Sequence, residues 1–326
     1  MNYSHIDAGL AVGAADLFSA QYEVICAKNA THVPDAFEQS QLAEDLLAWA
    51  LNGASVVAHE DGVIHGYLVG RFINWYHSES AFYSPEWAHN ISIDRSGRLI
   101  TDMYAWLTRS GQLDNSSLHA IGVFASDKST KHALNNLEFG THQIEGVFRS
   151  FSVGESRISP ADVTIRSGIP ADLPRIIELD KQLWTHLANP PTSLDVSLSE
   201  YPENRSKYQI PRDDSYISVA EIDGRMVGFI SCRMDIQESK TLRSSAVPHV
   251  NGAFVHEEYR DRNVAQLLLQ DIFRWSVERS APHVTVDFES NNVEGAGFWL
   301  SRDFKPLVYG MVRRPPPIRT DSQADA

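Results

Sequence analysis

Cysteine is nearly absent: of 326 residues only Cys26 and Cys232 are thiols, and they are far apart in sequence. A disulfide framework and a Cys-based metal cluster are both excluded on that count, and two isolated thiols fit a reducing cytoplasm. Long apolar runs are missing as well. No stretch approaches the length of a membrane span, and the opening Met-Asn-Tyr-Ser-His-Ile-Asp lacks the basic start and apolar core of a secretion signal. The expectation is a soluble, cytoplasmic protein. Positive charge is scarce, with 28 Lys and Arg against 42 Asp and Glu, a net charge of −14. General nucleic-acid or anionic-membrane binders concentrate cations, so both partner classes are excluded, while a cationic amine is drawn in. Thirteen histidines are scattered without a His-x-x-x-His or comparable cluster, so no metal site is expected.

What is present is enough apolar residue, 43%, for two ordinary cores. Helical spacing runs from Ile6 to about Ala30 through Ala15, Leu17, Phe18, Tyr22 and Ile25, and again from Gln39 to Leu51 through Leu42, Leu46, Leu47 and Trp49. Ser55–Gly70 follows as two β-rich runs joined by Asp61-Gly62, a hairpin signal. The pattern recurs: Tyr216–Ile230 has Asp223-Gly224, three residues, then Gly-aromatic, 162 positions after the first. Leu137-Glu138-Phe139 running on to Arg149 is echoed by Arg302-Asp303-Phe304 running on to Arg314, 165 positions later. Two landmarks in one order at nearly one offset read as a duplicated domain. The Ser-, Gly- and Pro-rich stretch between them fits a linker.

The stretch Asn251–Asp271 organises the second copy. A short strand, Ala253-Phe254-Val255, leads through a charged turn into a helix whose Val264, Leu268, Ile272 and Trp275 form one apolar stripe. The opening amides of such a helix suit a phosphate. Later, Val284, Val286 and Phe288 alternate with Thr285, Asp287 and Glu289 as a strand with one apolar face, and Asn291-Asn292 opens a helix containing Phe298 and Trp299. Asn189–Asp214, with Pro190, Pro191 and Pro202, reads as a long loop able to wall a substrate pocket.

Arg260-Asp261-Arg262-Asn263-Val264-Ala265 resembles the pyrophosphate loop of the GNAT acetyltransferase family, Gln/Arg-x-x-Gly-x-Gly/Ala, with Asn263 where the family prefers glycine. Asparagine tolerates the left-handed backbone such a turn requires. Val163–Leu179, with Asp172 as N-cap and Pro174 in the first turn, is similar to the family's first strand and helix. Counting back from Phe304 puts Asn292 on the family Asn, Gly295 on Ala, Trp299 on Tyr and Asp303 on Gly. In the first copy, Ile91–Ile100 offers no match to the loop. The resemblance therefore implies an α/β (α+β) fold of two tandem GNAT-like domains, each a mixed, mostly antiparallel sheet flanked by helices. The expected division is a degenerate copy at 1–152, a linker at 153–162, an acetyl-CoA-binding copy at 163–314 and a disordered tail at 315–326.

The activity implied is acetyl-CoA-dependent transfer of an acetyl group to a primary amine of a small molecule or peptide, by a monomer or homodimer. The pantetheine arm would lie along Phe254, Val255 and His256. The diphosphate would sit on the amides of Arg262, Asn263, Val264, Ala265 and Gln266 with Arg260 beside it, and Asn292 would complete the cofactor set. Asp287 falls on the strand position used as base by ribosomal-protein N-terminal acetyltransferases; Glu289 is the second candidate, and His249 or His256 the third. Trp299, at the tyrosine position, has no proton to release to a thiolate, which leaves Tyr309, Tyr259 or water as the acid. Two rival readings stand beside this one: a non-catalytic module that binds an acyl-CoA or a partner, and a mycothiol-synthase-like transferase, which shares the tandem layout.

Overall fold

The computed structural model describes residues 1–29, 39–75, 79–92, 95, 97–149, 162–194, 214–235, 247–281 and 283–316. The described residues form two compact units, one from within 1–144 and 307–316, the other from within 145–235 and 247–306.

In the first unit, strand β1 (Asn2–Ser4) precedes helices α1 (Ala8–Asn29) and α2 (Gln39–Leu51). The first helix starts two residues later than its periodicity suggests, because Asp7 accepts a hydrogen bond from the Leu10 amide at 2.9 Å and caps it. Strands β2 (Gly53–Glu60), β3 (Val63–Trp75), β4 (Glu79–Ser84) and β5 (His89–Ile91) follow, then α3 (Arg98–Arg109), β6 (Leu118–Phe124), α4 (Lys128–Asn136) and β7 (Gly140–Arg149). The β2–β3 hairpin turns through Asp61 and Gly62 with φ of +49° and +80°, the pair of left-handed residues that matches strand twist. Val56, Leu68, Phe82, Ile100, Met103 and Leu107 pack its core.

The second unit holds β8 (Val163–Ser167), α5 (Leu173–Ala188), the β9 (Ser215–Ile222) and β10 (Arg225–Asp235) hairpin, β11 (Val247–Val255), α6 (Val264–Glu278), β12 (His283–Glu289) and α7 (Val293–Ser301). Its hairpin turns through Asp223 and Gly224 at φ +50° and +71°. Strand order is β8-β9-β10-β11-β12. On one face, Ile176 and Leu179 of α5 pack on Ile217, Val219 and Phe229. Helix α6 is pinned to β9 by Asp271, whose carboxylate accepts from Tyr216 Oη and Ser218 Oγ at 2.8 Å each.

Asp172 stands at the N-cap of α5, yet its carboxylate does not cap the helix. It accepts from Arg166 Nη1 at 2.7 Å and from the Ile169 amide at 2.8 Å. The Arg166 guanidinium, which also reaches Glu221 at 2.5 Å, holds the Asp172 carboxyl below its usual range.

The units do not follow one another along the chain. From Glu145, β7 continues into the second unit, where Phe148 stacks on Phe273 at 4.2 Å. The segment after Phe304 is a single strand, β13 (Lys305–Arg313), rather than the expected hairpin. From Leu307 it belongs to the first unit, pairing antiparallel with β6 from Val308↔Phe124 to Arg313↔His119. The expected linker at 153–162 lies outside the described residues except for Asp162, most of the Asn189–Asp214 loop does too, and so does the tail beyond Pro316.

Candidate functional site

The second unit's β11 and β12 run parallel and are paired only at His249↔Thr285 and Val250↔Val286, although β11 continues to Val255 and β12 to Glu289. The cause lies on the other side of β11. There Cys232 pairs with Val250 and Ser231 with Gly252, leaving Asn251 as an extra residue. Such a bulge bends the strand and adds twist. Asn251 is held in it by Ser231 Oγ, which donates to its Oδ1 at 2.7 Å. Beyond the bulge, Phe254 packs on the α5 face of the sheet, Val255 is half-buried, and the His256 amide donates to Val227 O at 2.8 Å.

The chain then makes a short 3-10 turn at Glu257–Tyr259 and two left-handed residues, Asp261 (φ +63°) and Asn263 (φ +61°), before α6 begins. Alternating backbone of this kind turns successive N–H groups toward one concavity, which suits an anion. The Asn263 side chain makes no capping hydrogen bond, so it does not cover the helix opening. Val264 is buried beneath the turn; Ala265 and Gln266 are half-buried, and Gln266 Oε1 accepts from Arg302 at 3.2 Å. Arg262 is exposed, 3.9 Å from Asp162 and over the Tyr259 ring. Arg260 leans back over the Phe254 ring, donates from Nε to Val255 O at 3.3 Å, and pairs through Nη1 with Glu294 at 2.6 Å.

Asp287 is the first β12 residue past the last rung shared with β11. Its carboxylate is 42% exposed and lies 3.8 Å from His249 Nε2, while His249 Nδ1 meets Thr285 Oγ1 at 3.0 Å. Alternation puts Glu289 on the same face, with Phe288 buried on the other. The structure thus gathers His249, Asn251, Thr285 and Asp287 where the two strands part.

Two expected members, Asn292 and Tyr309, have other contacts, and Trp299, at the tyrosine position, is buried. Asn292 caps α7, its Oδ1 accepting from the Gly295 amide at 3.1 Å. The same contact explains glycine at 295, since a Cβ there would lie 2.6 Å from Asn292 Nδ2. Tyr309 sits on β13 in the first unit, packed against that unit's core with Lys131 Nζ 3.3 Å from its ring centre. Its strand, β13, pairs with β6, Tyr309 standing opposite Val123. Trp299 is buried, edge-on to Phe304 at 5.2 Å and to Phe298 at 4.9 Å. Two residues that sequence reading passed over matter here: Asn251, whose bulge leaves no compositional trace, and Glu294, whose partner is 34 residues away.

The equivalent region of the first unit is filled. There β4 and β5 together lie along β3, and five residues, Ser84 to Ala88, stand opposite only two, Val69 and Gly70. This loop is fixed by Tyr67 Oη donating to Trp87 O at 2.8 Å and by His89 Nε2 bonding Gly122 O at 2.6 Å. Burial pushes the His89 pKa down, so the ring is neutral and donates. Gly122 occupies the β6 position matching Asp287 on β12, one past the last parallel rung, Ser84↔Ile121. At the opening of α3, Gly97 is right-handed (φ −53°) and its amide donates to Ser129 Oγ at 3.0 Å.

Among the described residues no group of three or more His, Cys, Asp or Glu side chains is arranged to hold a metal ion, and no helix is long and apolar enough to cross a membrane.

Comparison with known proteins adds four findings. Residues 180–304 match the acetyltransferase (GNAT) family. An uncharacterized N-acetyltransferase of Archaeoglobus fulgidus is 26% identical over 103 residues, covering 32% of this chain and 69% of that protein. A GCN5-related N-acetyltransferase from Sphaerobacter thermophilus superposes with a TM-score of 0.59 at 16% identity, covering 98% of this chain and 97% of its own. A tandem GNAT protein from the clavulanic acid biosynthesis pathway gives 0.51 at 13% identity over 98% and 99%. At such identities the two structures speak for the fold of the whole chain, while the sequence match speaks for the second unit. The left-handed turn opening α6 and the bulged β11 both fall within the residues that match the GNAT acetyltransferase family.

Proposed function

We propose that the protein is an acetyl-CoA-dependent N-acetyltransferase acting on a primary amine of a small molecule or peptide, with the cofactor held by the second unit. The observation that carries this reading is the parting of β11 and β12 after Val250↔Val286, directly beside the left-handed turn at Asp261 and Asn263. An extended chain bearing amides finds strand backbone in the parted segment, and a diphosphate finds the amides of Arg262 to Gln266 at the positive end of α6. Arg260 adds charge there.

Bound acetyl-CoA supplies a thioester carbonyl, whose C–S bond is exchanged for the C–N bond of the product amide. The chain's own contribution is positioning and one proton acceptor. Asp287, exposed at the point of parting, accepts the proton of the incoming ammonium through a water, with Glu289 on the same face as a second carboxylate. The net charge of −14 favours approach of a cationic acceptor. Trp299 is buried and has no proton to release to a thiolate, which leaves Tyr309, Tyr259 or water as the acid.

The same burial of Trp299 favours the second reading, a unit that binds an acyl-CoA without turnover. One experiment separates the two. The protein is incubated with acetyl-CoA, a panel of amines and a thiol reagent: CoA released only when an amine is present supports the transferase, and heat stabilisation by CoA without release supports binding alone. No calorimetric heat with CoA at millimolar concentration overturns both.

A further inference from the structure

Arg260 is not idle beside the helix opening. It reaches from the end of β11, where its Nε holds Val255 O at 3.3 Å, to the first turn of α7, where its Nη1 pairs with Glu294 Oε2 at 2.6 Å. Helix α7 follows β12, so this side chain spans from one of the two parting strands to the element that follows the other. Glu294 is approached from a third element too, with His186 Nε2 of α5 at 3.7 Å. A single carboxylate therefore joins α7 to the turn before α6, with the His186 ring of α5 close by.

We propose that Glu294 is a built-in competitor for the cofactor's diphosphate: it neutralises Arg260 in the free protein and must release it when a phosphate group arrives. This inference rests on the proposed binding of CoA by the second unit and adds a residue that lowers the affinity. Physical chemistry sets its size. Both partners are partly exposed, Arg260 at 33% and Glu294 at 63%, so the pair is weak and salt-sensitive. It holds the guanidinium without preventing its exchange onto a doubly charged ligand. The carboxylate also leaves a mark on specificity, because only ligands able to outbid it for Arg260 gain the arginine; an acyl-pantetheine without phosphate does not.

The test is calorimetric titration of coenzyme A into the full chain and into Glu294→Gln, Arg260→Gln and the double variant, at low and at high salt. Glutamine keeps the size of the side chain and removes its charge. The expected result is about three- to fivefold tighter CoA binding by E294Q at low salt, a gain that fades at high salt and falls below about twofold in the R260Q background. Equal or weaker affinity of E294Q overturns the proposal. So does an equal gain in both backgrounds, which would mark Glu294 as general charge repulsion rather than a partner of Arg260. Wild-type protein that binds CoA while E294Q gains nothing removes the competitor and leaves the functional reading standing; absence of binding in every variant removes both. Thermal unfolding of each variant, with a midpoint within a few degrees of wild type, assigns any affinity change to the site.

Discussion

In the second unit one extra residue, Asn251, bends β11 away from β12; in the first, five residues face two at the same place, and the surplus folds back over β6. Pro85 and Glu86 then lie against Gly122, and His89 closes onto its carbonyl. The two units share an order of elements, a hairpin with two left-handed turn residues, and a parallel pair of strands linked by a helix. They differ in three local features. The bulge is small in one and overgrown in the other, the helix opening is left-handed at Asn263 and right-handed at Gly97, and the residue past the last rung is Asp287 in one and Gly122 in the other. The two copies of the scaffold therefore part at a few residues around one crossing.

The sharpest way to break that comparison is to exchange the residue past the last rung. Asp287→Asn is expected to lower amine-dependent CoA release by roughly 10²- to 10⁴-fold, while calorimetric CoA affinity stays within about twofold. The reciprocal Gly122→Asp is expected to add no activity and to destabilise the first unit, since its Cβ would sit 3.2 Å from the Glu86 amide nitrogen. Activity gained by the first unit would show that the fold-back loop is not the barrier.

A pH titration comes next in size. In the first unit Arg313 donates to Tyr104 Oη at 3.1 Å, and Tyr104 Oη meets His119 Nδ1 at 2.6 Å. A chain of this kind requires a neutral imidazole that accepts, and burial, followed by the Arg313 charge, lowers the His119 pKa from 6.5 to about 4. The folded state thus binds fewer protons than the unfolded state between those values. The contribution is fully present above pH 6.5 and is lost as pH falls toward 4, about 3 kcal/mol across the window. Urea denaturation at pH 7.5 and 4.5 measures it, and His119→Asn is expected to flatten that part of the slope.

At the helix opening, Asn263→Val is expected to cost about 1–2 kcal/mol, because a β-branched residue resists φ near +61°. CoA affinity should fall by about tenfold, whereas Asn263→Gly should keep or improve it. Equal affinity in both variants would show that turn handedness does not set binding. Smallest of all, Gly62→Ala and Gly224→Ala are each expected to lower stability by about 1 kcal/mol. Neither Cβ meets an atom within 4 Å, so the cost is backbone strain alone. Matching losses in thermal unfolding would confirm the hairpins as true equivalents; unequal ones would limit the likeness of the units to topology.

Much of this could be read before folding. Helix α2 was legible to its ends, both Asp-Gly turns were, and so was the left-handed position at Asn263, since turn chemistry and periodicity act over a few residues. Asp287 and Glu289 were legible as one strand face for the same reason. Asn292 and Asp172 were placed correctly on helix ends, but not what their side chains hold. A cap competes with every donor nearby: Asp172 went to Arg166, and Asn292 went to its own helix. The β6 partner of Tyr309's strand was not legible, because a strand's pattern states which face is buried and not which strand it pairs with.

By itself, then, the sequence determined helix α2, the two Asp-Gly hairpins with their repeat, the β12 face and the turn that opens α6, all products of short-range geometry and hydrophobic period. The tertiary structure alone decided that β13 pairs with β6, that Asn251 bulges, that His89 seals one unit, and that Glu294 holds Arg260. Each of those joins residues dozens of positions apart or more, or depends on the register between strands, and chain-local preference carries no information about which distant partner a hydrogen-bonding group or a charge will meet.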